Sequence, residues 1–131
     1  MKYAYPAIFT LEENGAFSVL FPDLEGCYTC GDDLQDALYM ASDVLAFTLY
    51  GYEKEHREIP DPSNPSLFEL EDGDFVNYVA CDTIDYQKRH SNKAVKKTLS
   101  IPEWLNEAAT TAGINFSQVL QDSLKEQLDL N

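Results

Sequence analysis

The sequence predicts an α+β protein of two modules. The first is a small domain in the order strand–strand–strand–helix–strand, and the second is a strand followed by two helices. Three observations lead there: alternating apolar positions at the start, a 3.6-residue apolar stripe from Leu34, and a change of charge sign near residue 87. A chain of 131 residues has room for one ordinary domain or two small ones.

Tyr3, Tyr5, Ala7, Phe9 and Leu11 share one face of a first strand. Glu12-Glu13-Asn14-Gly15 supplies a turn, because Asn-Gly tolerates the positive φ of a tight hairpin. Phe17, Val19 and Phe21 form one face of a second strand. Pro6 lacks an N–H, so the first strand is expected at a sheet edge or with Pro6 at an unpaired position. Gly26 to Cys30 reads as a short third strand.

Asp32-Asp33 is a good helix start, since a carboxylate accepts from the free N–H groups of the first turn. Leu34, Ala37, Leu38, Ala41, Leu45 and Leu49 make the buried stripe, with the helix expected to end near Gly51. Its opposite face carries Tyr39, Phe47 and Tyr50 beside Asp36 and Asp43. Such aromatics either pack under the following loop or meet another chain. Residues 53–74 contain Pro60, Pro62 and Pro65 and read as a loop. Phe75 to Asp82 is apolar without alternation, as for an inner strand covered on both faces.

Asp85 to Ala94 reads as linker. Val95 to Ile101 alternates as a short strand, and Pro102 suits the first turn of a helix. Trp104, Leu105, Ala108, Ala109 and Ala112 give that helix an apolar side, and Gly113 stops it. Asn115 or Ser117 caps a last helix with the stripe Phe116, Val119, Leu120, Leu124 and Leu128. A strand and two helices in under 40 residues cannot bury these faces alone, so an intertwined homodimer is expected. The boundaries fall at residues 1–86, a basic linker at 87–94, and residues 95–131.

Net charge is −14, which taken alone argues against a nucleic-acid partner. Its distribution argues otherwise. Residues 1–86 hold 18 acids and 3 bases, a net of −15, while residues 87–131 hold 5 acids and 6 bases, a net of +1. Lys88, Arg89, Lys93, Lys96 and Lys97 fall within ten residues free of acid. The bland explanation is a solvated acidic domain with a basic linker; the functional one is two modules with oppositely charged partners.

Three cysteines make no disulfide framework, no run of 18 apolar residues occurs, and the start lacks a signal-peptide core. A cytoplasmic location with reduced thiols is expected. Cys27-Tyr28-Thr29-Cys30 has a metal or redox spacing. In a strand, however, positions three apart face opposite sides and cannot grip one ion. Cys81, His56 and His90 show no ligand-like spacing with them. Redox pairs sit at helix N-termini, and a helix does begin after Cys30. Packing cysteines, with no metal and no cofactor, are the expected reading.

Phe21-Pro22-Asp23-Leu24-Glu25-Gly26-Cys27-Tyr28-Thr29-Cys30-Gly31-Asp32, followed by Ala37 and Ala41 on a helix, resembles the N-terminal domain of HicB antitoxins. Ile59-Pro60-Asp61-Pro62-Ser63 sits where those proteins carry a similar proline-serine element. Thr98-Leu99-Ser100-Ile101-Pro102-Glu103-Trp104-Leu105, with Gly113-Ile114-Asn115-Phe116-Ser117 after it, resembles a ribbon-helix-helix domain of the Arc and MetJ type. The resemblance implies a partial RNase H-like fold for residues 1–82. It also implies a partner, HicA, which is a small basic toxin that cleaves mRNA, and repression of the protein's own operon through operator DNA. A domain of net charge −15 suits the cover of a phosphate-attracting ribonuclease.

Expected toxin contacts are Asp23, Glu25 and Tyr28 by the motif, and Tyr39, Asp43, Phe47 and Tyr50 by their placement on the helix. In a ribbon-helix-helix dimer two strands enter the major groove as a ribbon. Leu99 and Ile101 would then face the helices, with Val95 and Lys97 on their side. Lys96, Thr98 and Ser100 would read base edges. Lys93 and Lys97 would hold phosphate together with the helix N-terminus at Asn115, Phe116 and Ser117.

Two other classes of function fit parts of the sequence. A nuclease on an RNase H-like fold needs carboxylates converging on a metal. Asp23, Glu25, Asp32, Asp33, Asp36, Asp82 and Asp85 are abundant, but abundance is not convergence, so no enzyme is expected. A stand-alone repressor with a ligand-sensing or partner-binding N-terminal domain is the alternative. Nickel-responsive relatives of that type place the DNA domain first and need more histidines than His56 and His90.

Overall fold

The computed structural model describes residues 1–130. It is a mixed α/β structure in two compact units, Met1–Lys93 and Ala94 onward. The first unit holds a four-stranded antiparallel sheet in the order β3-β2-β1-β4, with β1 at Lys2–Leu11, β2 at Phe17–Leu20, β3 at Tyr28–Gly31 and β4 at Asp74–Asp82. The Asn-Gly turn forms as expected, with Gly15 at φ 86° and the Glu12 N–H donating to the Ala16 carbonyl at 2.8 Å.

Strand β1 is central, not an edge. Strand β4 pairs along Lys2–Thr10, whereas β2 pairs only along Ile8–Leu11. Pro6 therefore has a neighbouring strand on one side alone, which accommodates its missing N–H. The inner strand expected at Phe75–Asp82 is instead the edge strand β4. Only Val79 in it is fully buried, because a single face meets the core. The third strand begins two residues later than expected, after Gly26 turns at φ 70°.

Helix α1, Leu34–Lys54, covers one face of the sheet. Its start is doubly capped: Asp33 accepts from the Asp36 N–H at 2.8 Å, and Asp36 accepts from the Asp32 N–H at 2.9 Å. Ala37, Ala41, Leu45 and Leu49 pack on Tyr5, Ala7, Phe9, Val19 and Val79. The helix runs through Gly51 instead of stopping there. It ends where His56 takes φ 55°, so that the Arg57 N–H reaches the Tyr52 carbonyl at 2.9 Å. The loop beyond contains a 3₁₀ turn at Pro65–Leu67 and is tied down by the Tyr5 hydroxyl, which donates to the Pro60 carbonyl.

The linker expected from Asp85 is helical at first. Helix α2, Thr83–His90, is capped by Asp82, which accepts from the Ile84 N–H at 2.9 Å. Asp85 in its first turn and Lys88, Arg89 and His90 in its last suit the helix dipole. The second unit contains α3, Glu103–Thr111, and α4, Phe116–Gln127, separated by Gly113 at φ 73°. The strand expected over Val95–Ile101 does not form: residues 91–102 carry no regular structure. A strand needs a neighbour to pair with, and all four strands among the described residues lie in the sheet of the first unit.

Gly31 is buried where β3 passes into α1. A Cβ there would overlap the backbone N and Cα of Ala37. Gly31→Ala is expected to destabilise the first unit by about 1–3 kcal/mol in urea unfolding followed by far-ultraviolet circular dichroism. A change below about 0.5 kcal/mol, the range of an ordinary surface substitution, would contradict this close approach.

Candidate functional site

The residues expected to meet a toxin fall into two sets, which the fold keeps apart. Asp23 is half-buried: its carboxylate accepts from the Ser63 N–H at 3.0 Å and from the Ser63 hydroxyl. The proline-serine element is thus tethered to the motif loop, and Asp23 has a structural task. Glu25 and Tyr28 are exposed. Tyr28 pairs with Leu20 across β3 and β2, on the sheet face opposite the buried Val19 and α1.

Tyr39 is exposed on α1, while the rest of that helix patch meets α2. The Tyr86 ring stands 5.7 Å from Tyr50 and 6.3 Å from Phe47, centre to centre. Arg89 reaches Asp43 at 3.7 Å and lies 5.9 Å from the centre of the Tyr86 ring. The aromatics on the outer side of α1 thus pack neither under the 53–74 loop nor, in the case of Tyr50, in the open. Phe47 remains partly exposed beside Tyr86. Helix α2 is concealed in the sequence because Lys88, Arg89 and Lys93 read as a basic linker. The signal for it lay in Asp82, a capping residue directly before Thr83-Ile84.

Cys27 is fully buried, with its thiol 3.9 Å from the Val44 carbonyl, whereas Cys30 is exposed. The two lie on different sides of their segment. Burial pushes the Cys27 thiol up, and Cys81, half-buried beside Asp82 and Glu53, is pushed up to about 11, chiefly by desolvation.

In the second unit neither α3 nor α4 has one fully buried residue. Leu99, Ile101, Leu105, Ile114, Phe116 and Val119 line an open apolar hollow, with Lys97 at its border. Lys96, Thr98 and Ser100 are exposed and do not line it, and Lys93 is exposed too. Asn115 caps α4 by accepting from the Gln118 N–H at 3.0 Å. Helix geometry leaves the first-turn N–H groups of Phe116 and Ser117 without an intrahelical carbonyl.

A chain with an acidic α/β unit and an uncovered helical unit has relatives among bacterial antitoxins. The family profile described as the HicB-like antitoxin of bacterial toxin-antitoxin system matches residues 5–122, and the chain belongs to that family. Antitoxin HicB 2 of Photorhabdus laumondii is 42% identical over 59 residues, which cover 45% of this chain and 42% of that protein. The match therefore spans less than half the length of that relative. A 14.9 kDa protein of Haemophilus phage HP1 is 27% identical over 93 residues, 70% of this chain and 68% of that one. Among solved structures, a chain of a toxin–antitoxin complex from Streptococcus pneumoniae is 29% identical. It has a TM-score of 0.63 and covers 97% of this chain and 99% of its own. The antitoxin HicB3 has 26% identity and a TM-score of 0.51, over 95% of this chain and 97% of its own. Among the described residues no helix is long and apolar enough to cross a membrane.

With two thiols held protonated by burial and one exposed, a single thiol per chain is expected to react rapidly with a disulfide reagent at pH 8. Cys30→Ser should remove that phase. Fast reaction persisting in this variant would contradict the burial of Cys27 and Cys81.

Proposed function

We propose that the chain neutralises a HicA-type mRNA-cleaving toxin through its first unit. We further propose that it represses its own operon as a homodimer, through a second unit that assembles into a ribbon-helix-helix. The observation carrying this reading is the division of charge along a chain that splits into two compact units. Residues 1–86 hold a net −15, and five cations fall within ten residues at the junction. The acidic unit, taken as the partial RNase H-like domain, repels phosphate and attracts a ribonuclease that must itself bind phosphate. Its role is to cover that enzyme, not to catalyse.

For the second unit, a partner copy supplies what one chain lacks. Residues 95–101 of two chains pair as an antiparallel ribbon, and Leu99, Ile101, Leu105 and Phe116 become the shared core. Lys96, Thr98 and Ser100 then project to base edges, while Lys93, Lys97 and the α4 N-terminus at Asn115, Phe116 and Ser117 hold phosphate. Of the toxin contacts expected from sequence, Glu25, Tyr28, Tyr39 and Phe47 present exposed side chains, whereas Asp23, Asp43 and Tyr50 already have partners within the fold.

The DNA reading predicts two distinct mutant behaviours on the chain's own promoter. Lys96→Ala should cost roughly 1–3 kcal/mol and relax preference at one base pair per half-site. Lys93→Ala should weaken all sequences alike and make the salt dependence shallower. Binding titrations at several salt concentrations separate them; identical affinity and preference for wild type and Lys96→Ala would contradict base reading by the ribbon. The toxin reading predicts a small basic protein encoded beside this gene, whose RNA cleavage should stop at stoichiometric addition of the chain. Undiminished cleavage at excess chain would contradict it.

A further inference from the structure

Helix α1 covers one face of the sheet, and no element of the first unit packs on the centre of the other. Side-chain alternation puts Ile8, Thr10, Ser18, Leu20, Tyr28, Cys30, Val76 and Tyr78 on that second face. Leu20 is 47% exposed, Tyr28 67% and Tyr78 57%. A shallow groove runs over Ile8, Leu20 and Tyr28. It meets a second hollow at Ser18 and Cys30, whose far wall is Glu12, Glu13 and Asn14 of the hairpin turn. The Ser18 hydroxyl donates to Glu12 at 2.7 Å, fixing one acid at the junction. On the other side, the Asp74 carboxylate accepts from Thr10 at 2.7 Å.

We infer that this open sheet face, with Leu20 and Tyr28 at its centre and Glu12, Glu13 and Asp74 at its rim, is where the basic toxin docks. The inference rests on the antitoxin reading and gives it a surface. An apolar, tyrosine-bearing centre within a charged rim is the layout of a protein-binding patch. The sign of the rim selects the partner. A second copy would bring the same acids against themselves, in a unit whose first 86 residues carry −15. A cationic partner would find complementary charge around an apolar floor. The competing surface, the outer side of α1, is partly filled, since Tyr86 packs on Tyr50 and Arg89 pairs with Asp43, although Tyr39 and Phe47 stay exposed there.

The test uses full-length chain and the purified basic protein encoded beside the gene, titrated calorimetrically. Leu20→Lys combined with Tyr28→Arg, both at exposed positions, is expected to weaken binding on the order of a hundredfold. Glu12→Lys with Glu13→Lys should slow association and flatten its salt dependence. Gln35→Lys, a single added cation at an exposed position of α1, should bind as wild type does. Unchanged thermal unfolding of the variants shows that the fold is retained. If the Leu20/Tyr28 variant binds as wild type while Tyr39→Arg loses binding, the toxin sits on α1 and the inference fails. It also fails if that variant alters only self-association in sedimentation and leaves toxin binding intact. A wild-type chain that does not bind the neighbour-encoded protein at all overturns the antitoxin reading itself, and the docking face with it.

Discussion

The helical unit beyond Ala94 buries nothing completely within one chain. Leu99, Ile101, Leu105, Ile114, Phe116 and Val119 are all exposed around a common hollow. Two helices of 9 and 12 residues cannot hold such a surface in water. In the proposed homodimer, association with a second copy is the condition under which this half of the sequence covers its apolar side chains. On that proposal the ribbon, the pairing of two DNA half-sites and the presentation of two acidic units per assembly would follow.

The acidic unit meets the opposite constraint. Its core is complete within one chain: Tyr5, Phe9, Val19, Phe21, Leu24, Leu45 and Leu49 are buried together, and the buried polar group is Thr83. All 18 acids of residues 1–86 are therefore left partly or fully at the surface. Acid-rich sequence thus becomes a strong surface field without cost to packing. The family motif serves the architecture, since Asp23 fastens Ser63 and thereby the long loop after α1. Gly31 lets that helix start hard against β3.

How far the sequence could be read depended on whether local rules or long-range pairing decided each element. Asn14-Gly15, Asp32-Asp33, Pro102 and Gly113 act within a turn of themselves, and the elements they bound were legible. Strand order was not, because Phe75–Asp82 looks equally apolar as an inner strand or as an edge with one covered face. Helix α2 was hidden by its last-turn cations, which suggest a linker although they also suit a helix C-terminus. The end of α1 is not legible because His56, not Gly51, takes the left-handed turn. For the site, Lys96, Thr98 and Ser100 are exposed, but the strand whose alternation would orient them does not form within one chain. The open sheet face could not be read in advance, since it depends on which strand neighbours which.

Because Trp104 is the chain's one tryptophan and lies in α3, its fluorescence reports on the helical unit by itself. The most direct measurement is urea unfolding of the full chain followed at Trp104 over about a hundredfold range of chain concentration. If the unit folds only by association, its midpoint rises with concentration, as mass action requires. A Trp104 midpoint independent of concentration would mean that the helices are stable within one chain, and would contradict the account at its base.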